Sequence, residues 1–123
     1  MMDEQIQQAL AQDRVIDITT TGRKTGQTRR IEIWFHNVDG RIFITGSPGR
    51  RGWYANLLEN PDFTFHLKKS VQADLPATAT PITDEAQRRS IMSQILDTIQ
   101  RPQTELDRWV RESPLVEVEF EGN

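Results

Sequence analysis

The spacing of apolar and polar residues divides the chain into strands and helices. Alternation of apolar with polar side chains is typical of a half-buried strand, and a period of 3.6 residues is typical of an amphipathic helix. Alternation predicts strands at 14–20, 30–38, 41–46, 62–68, 71–80 and 115–121. The helical period and capping residues predict helices at 3–13, at 53–60, from a cap at Thr83 to about Ile99, and after a cap at Thr104.

The connections between these segments indicate the fold class. Asp39-Gly40 separates the second and third strands, and this pair is a strong signal for a tight hairpin turn. The predicted helix at 53–60 stops at Asn60-Pro61, because proline cannot continue it. Strands joined by hairpins, with helices set to the side, predict an α+β fold around a mostly antiparallel sheet or small barrel of about six strands.

Composition narrows the class of protein. The length of 123 residues fits one domain, 1–123, with a single core. The absence of cysteine excludes disulfides, thiolate metal sites and cysteine nucleophiles. No apolar run approaches the ~20 residues of a membrane span, and the N-terminus lacks the apolar segment of a signal peptide, so we expect a cytoplasmic protein.

Charge is unevenly distributed along the chain. The net charge is −3, yet residues 14–69 contain ten lysines and arginines against five acidic residues, and the remainder contains five against thirteen. This asymmetry predicts that the first half faces an anion. The acidic remainder and the confinement of the cations to two loops argue against nucleic acid as that anion.

Two basic, glycine-containing loops are the candidate anion sites. The first, "TTTGRKTGQTRR" at 19–30, combines hydroxyls, glycines and cations in the first hairpin turn. The second, "GSPGRRGWYANL" at 46–57, brings glycine, serine and two arginines to the start of a helix, where the helix dipole favours negative charge. Each loop read separately also fits a solvated turn. Their closeness in the chain favours a shared, phosphorylated ligand.

Aromatic residues and histidines near these loops are the other candidates. Trp34 shares a strand face with Glu32 and His36, so it covers either a planar ligand or a packed helix. Trp53 fits a core position at a helix start. Neither His36 nor His66 has a carboxylate at metal-ligand spacing, so no metal is expected, and we interpret both histidines as surface or pocket-lining residues.

These two loops resemble the deazaflavin-dependent nitroreductase family. The first is similar to the family's TTGRKTG-x-x-R string, and "WYANLLENP" at 53–61 is similar to its W-Y-x-N-L-x-x-N-P pattern. The likeness runs from about Val15 to Lys68, with a looser echo in the closing "SPLVEVEF". It implies a split β-barrel oxidoreductase that uses coenzyme F420, a deazaflavin with a phosphate and a glutamate tail. The resemblance also implies a possible homodimer, since split-barrel relatives often pair their sheets.

The resemblance also assigns roles to residues. The expected cofactor-binding residues are Arg23, Lys24, Thr25, Gly26, Arg29, Ser47, Gly49, Arg50 and Trp53. The substrate-side candidates are Trp34, His36 and Tyr54. No side chain is expected to be the catalyst, because the hydride comes from the reduced ring of the cofactor.

Three departures from the family pattern leave the substrate open. The second loop reads Ser47-Pro48-Gly49-Arg50, where relatives have a serine, a lysine and two glycines. Glu32 replaces a common proline, and Tyr54 is the only tyrosine, whereas relatives carry tyrosines in the later helices. We expect a small conjugated or aromatic substrate of the quinone or nitro type. FMN in place of F420, and a non-catalytic carrier or sensor of either cofactor, are the alternatives.

Overall fold

A computed structural model of the chain describes residues 2–121. It contains the order of helices and strands that the sequence predicts. In chain order the elements are α1 (Glu4–Gln12), β1 (Val15–Thr21), β2 (Thr28–Val38), β3 (Arg41–Thr45), α2 (Gly52–Glu59), β4 (Asp62–Leu67), β5 (Ala73–Pro81), α3 (Glu85–Thr98), a 3-10 turn (Gln103–Glu105), α4 (Leu106–Glu112) and β6 (Leu115–Phe120).

The strands close into an antiparallel barrel in the order β1-β2-β3-β6-β5-β4. Strand β1 pairs with β2 on one side and with β4 on the other, which joins the first hairpin to the second half of the sheet. Each strand has a neighbour on both sides, although β2 pairs with β3 only over 35–38. The predicted α+β fold with a mostly antiparallel split barrel is therefore confirmed.

Alternate residues of each strand fill the barrel. Phe65 lies at the centre of this core, with its ring edge-on to Phe35 at 5.3 Å and to Phe120 at 5.1 Å between centroids. Helix α2 adds Trp53 and Leu57 to the same cluster, and α1 adds Ala9 and Leu10. Helix α2 contains most of the motif "WYANLLENP", and its position is thus fixed by the barrel core.

A second apolar layer lies outside the barrel. Phe43 of β3 and Leu115 of β6 point outward and are fully buried under α3 and α4, whose contributions include Ile95, Leu96 and Trp109. The alternation of β3 is therefore obscured, because both of its faces are covered. This layer also covers part of the outer face of β2, where Trp34 and His36 lie.

The structure corrects two predicted helix caps. Asp84, and not Thr83, caps α3: its side chain accepts a hydrogen bond from the backbone N of Gln87 at 2.9 Å. Thr104 caps no helix, since it lies within the 3-10 turn that leads into α4. The Asp39-Gly40 turn is confirmed, with positive φ at both residues, 55° and 87°. The fifth strand begins at Ala73, two residues later than predicted.

The outer face of β1, β4 and β5 carries a polar ladder. His66 of β4 is buried between Asp74, whose carboxylate accepts from Nδ1 at 2.7 Å, and Thr19, whose hydroxyl lies 2.7 Å from Nε2. The neighbouring carboxylate of Asp17 pairs with Arg30 at 2.9 Å and with Lys68 at 2.7 Å. Both ring nitrogens of His66 are thus engaged by side chains on the same face of the sheet.

Within residues 2–121, none of the helices is long and apolar enough to cross a membrane.

Candidate functional site

The first basic loop is a short turn between two paired strands. Pairing of β1 with β2 ends at Thr21 and Thr28, and residues 22–27, the basic turn, connect them. The backbone N of Gly22 donates to the carbonyl of Gln27 at 2.7 Å, and that of Gly26 donates to the carbonyl of Gly22 at 3.0 Å. A Cβ on Gly22 would lie 3.1 Å from the Gln27 carbonyl oxygen, and Gly26 has a φ of +72°. Both positions therefore favour glycine.

Two asparagines, Asn56 of α2 and Asn60 at its C-cap, hydrogen-bond to the basic turn and to the end of β1. The Oδ1 atom of Asn56 accepts from the backbone N of Arg23 at 3.2 Å and from its Nη1 at 3.1 Å. The Nδ2 atom of Asn56 donates to the hydroxyl of Thr20 at 3.3 Å, and Asn60 donates to the carbonyl of Thr21 at 3.4 Å. These contacts explain the two asparagines of the "WYANLLENP" pattern. Sequence reasoning recognised the pattern but missed the role of Asn56 and Thr20.

A cleft of about 330 Å³, the basic cleft, lies between the basic turn and the start of α2. Its lining residues are Gly22, Arg23, Lys24, Thr25, Gln27, Thr28, Arg29, Gly52 and Asn56. Three of them are cations and none is acidic. Arg23, Lys24 and Arg29 make no ion pair within residues 2–121, whereas the adjacent Arg30 pairs with Asp17. The cleft therefore presents uncompensated positive charge to a ligand.

The second basic loop, residues 46–51, is folded by one of its own arginines. Arg51 donates from Nη2 to the carbonyl of Ser47 at 2.9 Å and from Nη1 to that of Arg50 at 3.0 Å. Gly49 has a φ of +129°, and its backbone N donates to the carbonyl of Glu112 at 3.1 Å. Arg51 is thus a structural residue of this arginine loop. Arg50 is exposed and makes no ion pair within the described chain.

A second cavity, of about 300 Å³, lies on the outer face of β2 and β3 beside the end of α3 and Trp109 of α4. Its lining residues are Trp34, His36, Thr45, Gly46, Ser47, Ile99, Arg101 and Trp109. The two indoles differ in environment: Trp34 is 51% exposed, and Trp109 is buried. This tryptophan cavity offers a flat aromatic wall beside the arginine loop.

His36 is one of two buried polar residues of the tryptophan cavity, the other being Thr45. The histidine is 6% exposed, and its Nδ1 atom has no hydrogen-bond partner within residues 2–121. Burial, with a smaller contribution from the charge of Arg14, lowers the pKa of His36 to about 4. The imidazole is therefore neutral at pH 7. A neutral imidazole has one nitrogen that donates a hydrogen bond and one that accepts, but it cannot act as an imidazolium acid.

A third cavity, of about 490 Å³, lies on the other side of the arginine loop. We call it the arginine cavity, and its lining residues are Gly49, Arg50, Tyr54, Ile82, Thr83, Arg88, Arg111, Glu112, Ser113 and Pro114. The segment 46–52 borders all three spaces: Ser47 lines the tryptophan cavity, Gly49 the arginine cavity and Gly52 the basic cleft.

The structure distributes the predicted site residues among these spaces. Arg23, Lys24, Thr25 and Arg29 meet in the basic cleft, with Gly26 shaping the turn beside it. Ser47 joins Trp34 and His36, whereas Gly49, Arg50 and Tyr54 line the arginine cavity. Trp53 lies apart from all three, 9% exposed in the barrel core, so any effect on a ligand runs through the position of α2.

Solved structures share this architecture at low sequence identity. A conserved hypothetical protein from Mycobacterium tuberculosis is 16% identical, with a TM-score of 0.77 over 98% of this chain and 82% of that one. An F420-H2 dependent reductase is 21% identical, with a TM-score of 0.65 over 87% and 95%. A FAD-binding protein from Mesorhizobium loti is 15% identical, with a TM-score of 0.63 over 98% and 89%. At these identities the structures establish the fold alone.

Family membership comes from the sequence as a whole. The model of a protein family described as F420H(2)-dependent quinone reductase matches residues 2–120. The match includes both basic loops and the α3–α4 layer, so it covers every wall of the three cavities. It confirms the resemblance to deazaflavin-dependent reductases on which the site residues were predicted. The chain belongs to the F420H2-dependent quinone reductase family, a family of F420-dependent oxidoreductases.

Proposed function

We propose that this protein is a reductase that binds F420 through the basic cleft and reduces a small conjugated ring compound of the quinone or nitro type. The observation that carries the proposal is the basic cleft itself. Arg23, Lys24 and Arg29 converge there without an acidic partner in residues 2–121, although the chain pairs Arg30, Arg41 and Lys68 elsewhere. Unpaired cations gathered around a cavity are the expected complement of an anionic ligand.

The residues of the cleft fit the anionic part of F420. Lys24 and Arg29 supply charge to a phosphate or carboxylates, and the threonine hydroxyls supply donors. Gly52 is the first residue of α2, and Arg51 before it offers no side-chain cap to the free backbone N–H groups of the first turn. Those N–H groups add a further preference for an anion. When bound, the reduced deazaflavin supplies the hydride.

The protein's own contribution is binding, orientation and exclusion of water. Asn56 fixes Arg23 against α2, and the tryptophan cavity gives a planar compound an aromatic wall in Trp34. Neutral His36 offers a hydrogen bond to a carbonyl or nitro oxygen, or to a ring N–H. No side chain of the described chain is needed as a covalent catalyst. The proton of the product comes from solvent, because Tyr54 lines the arginine cavity and not the cavity of Trp34.

The test is to incubate the purified protein with F420 or with FMN, to dialyse it and to record the absorbance spectrum. Oxidation of reduced F420 is then followed with a simple naphthoquinone and with a nitroaromatic as acceptors. We expect F420 to be retained and the naphthoquinone or nitroaromatic to be reduced. Retention of FMN but not F420 identifies a flavoprotein, and retention of F420 without turnover on either acceptor identifies a carrier. Each of these results refutes the proposal.

We also propose that the protein forms a homodimer. Trp34 is half exposed on the outside of the barrel, and Leu58 on α2 is exposed to a similar extent. A solved structure that shares the fold, at 21% identity and a TM-score of 0.64, is described as a domain-swapped dimer, and this likeness supports the proposal. Light scattering at micromolar concentration should give twice the chain mass, and a clean species of 14.2 kDa contradicts the proposal.

A further inference from the structure

The arginine cavity carries positive charge that the basic cleft does not account for. It lies between the arginine loop, the end of α4 and the start of α3. Three arginines, Arg50, Arg88 and Arg111, and one acidic residue, Glu112, line it. The carboxylate of Glu112 is already paired with Arg108 at 3.3 Å. An excess of positive charge therefore faces this space.

Two of these guanidinium groups are available to a ligand. Arg50 makes no side-chain hydrogen bond or ion pair within residues 2–121. Arg111 uses only Nε, which donates to the carbonyl of Asp107 at 3.2 Å. Its terminal nitrogens have no partner in the same part of the chain. Guanidinium groups whose terminal nitrogens are unpaired favour planar, bidentate acceptors, and a carboxylate has that geometry.

The third arginine is structural and shapes the floor. Arg88 donates to the backbone carbonyls of Ile82 at 2.8 Å, Val110 at 2.8 Å and Ser113 at 2.5 Å. Burial lowers the pKa of Arg88, with an opposing contribution from Tyr54. Its charge is met by backbone dipoles and by no carboxylate among residues 2–121. Arg88 thus keeps the cavity positive and also fixes the end of α4.

Ser113 adds an independent observation. The residue is buried, and its hydroxyl has no hydrogen-bond partner within residues 2–121. Buried hydroxyl groups are almost always paired, so the unpaired hydroxyl of Ser113 is left available to an acceptor. A carboxylate oxygen is such an acceptor, and Tyr54 on the same wall adds a ring that can lie against an aromatic group.

We infer that the arginine cavity is a carboxylate-binding subsite, with Arg50 and Arg111 as charge partners and Ser113 as hydroxyl donor. The inference rests on the proposed function in one respect: the carboxylate belongs either to an acidic aromatic substrate of the reductase or to the glutamate tail of F420. This subsite and the basic cleft share no lining residue, so they can receive two different ligand groups.

The subsite is tested with benzoate and its neutral counterpart benzamide, titrated calorimetrically into the full chain. Benzoate should bind at least ~10-fold more tightly than benzamide. Arg111→Gln should weaken benzoate by about 10-fold and Ser113→Ala by a few-fold. Lys69→Gln removes an exposed cation outside all three spaces and should change nothing. Equal binding of benzoate and benzamide, or a folded Arg111→Gln protein with unchanged benzoate affinity, overturns the inference.

A competition experiment identifies the source of the carboxylate. The Lys24→Gln variant separates the carboxylate subsite from the proposed cofactor site in the basic cleft. If benzoate competes with F420 but not with the same deazaflavin lacking its glutamates, the tail occupies the subsite. If benzoate and intact F420 bind together, the subsite belongs to the substrate. Lys24→Gln should weaken F420 without changing benzoate affinity. An unchanged F420 affinity in Lys24→Gln counts against the basic cleft as the cofactor site, and the benzoate result still decides the subsite.

Discussion

Asn56 binds Arg23 twice, accepting one hydrogen bond from its backbone and one from its guanidinium group, at 3.2 and 3.1 Å. One buried amide on α2 thereby fixes both the path of the basic turn and the direction of an arginine that lines the cleft. The helix is itself anchored in the barrel through Trp53 and Leu57. The position of the charged site is therefore set by the core.

Asn56→Ala should lower both stability and cofactor affinity. Loss of the buried amide leaves the Thr20 hydroxyl and the Arg23 backbone N without their partners, which typically costs about 1–3 kcal/mol in free energy of unfolding. The dissociation constant of F420 should rise several-fold, because the turn is no longer held. Urea denaturation and fluorescence titration measure the two effects.

Asn37→Ala is the matched control. The exposed side chain of Asn37 makes two hydrogen bonds, to Leu10 and Gly40, against the three of Asn56, but it lies in the β2–β3 hairpin and lines none of the three site cavities. It should lower stability and leave F420 affinity unchanged. If Asn56→Ala binds F420 as wild type does, the anchoring role of Asn56 is wrong.

Trp34→Ala should change turnover more than stability. Because Trp34 is half exposed, its removal should cost about 1 kcal/mol or less, well below the ~3–5 kcal/mol of a fully buried tryptophan. Loss of the aromatic wall should raise KM for a ring substrate or alter F420 fluorescence. Trp109→Ala provides the contrast, since its indole is buried and its loss should mainly destabilise the fold. Unaltered kinetics with a stability loss of ~3 kcal/mol would mark Trp34 as a core residue.

His36 should make the folded state less stable in acid. Its pKa falls from 6.5 to about 4 on folding, so between these values the unfolded chain binds the proton and the native protein does not. Stability from this group is complete above pH 6.5 and is lost as the pH falls towards 4. Between pH 7 and pH 5 the expected loss is about 2 kcal/mol.

His36→Gln removes this titration and keeps a polar side chain. The free energy of unfolding of wild type, compared with that of His36→Gln at pH 7 and pH 5, isolates the contribution of His36. The other ionisable groups are common to both proteins and cancel in the difference. Parallel pH dependences in the two proteins contradict a neutral, buried His36.

Local patterns in the sequence predicted most of the barrel. Alternation in β1, β2 and β4 and the Asp39-Gly40 turn depend on neighbouring residues, so the sequence reveals them directly. The predicted cap of α3 was wrong because threonine and aspartate compete for the same role, and only the backbone decides between Thr83 and Asp84. The predicted cap of α4 was wrong because Thr104 lies within the 3-10 turn that precedes the helix.

Features that depend on distant strands were harder to predict. His36 was interpreted as a surface or pocket-lining residue, and its burial follows from the α3–α4 layer that closes over β2. The burial of His66 depends on the register of β1 and β5 on either side of β4, which brings Thr19 and Asp74 to its ring nitrogens. Likewise, the place of Ser113 in the wall of the arginine cavity depends on segments that are far apart in the sequence.

The salt dependence of F420 binding shows whether the cations of the basic cleft hold the cofactor. If Lys24 and Arg29 neutralise the anionic part of F420, Lys24→Ala should raise the dissociation constant roughly ten-fold or more. The double variant Lys24→Ala/Arg29→Ala should also flatten the salt slope, since exposed charges are screened as the Debye length falls from about 10 Å at 0.1 M to about 3 Å at 1 M. Lys69→Ala removes an exposed cation outside the cleft and should keep both the affinity and the slope. We expect weak binding with a flatter salt slope by the double variant, at an unchanged melting temperature. Wild-type affinity and salt slope in that variant would contradict F420 binding at the basic cleft.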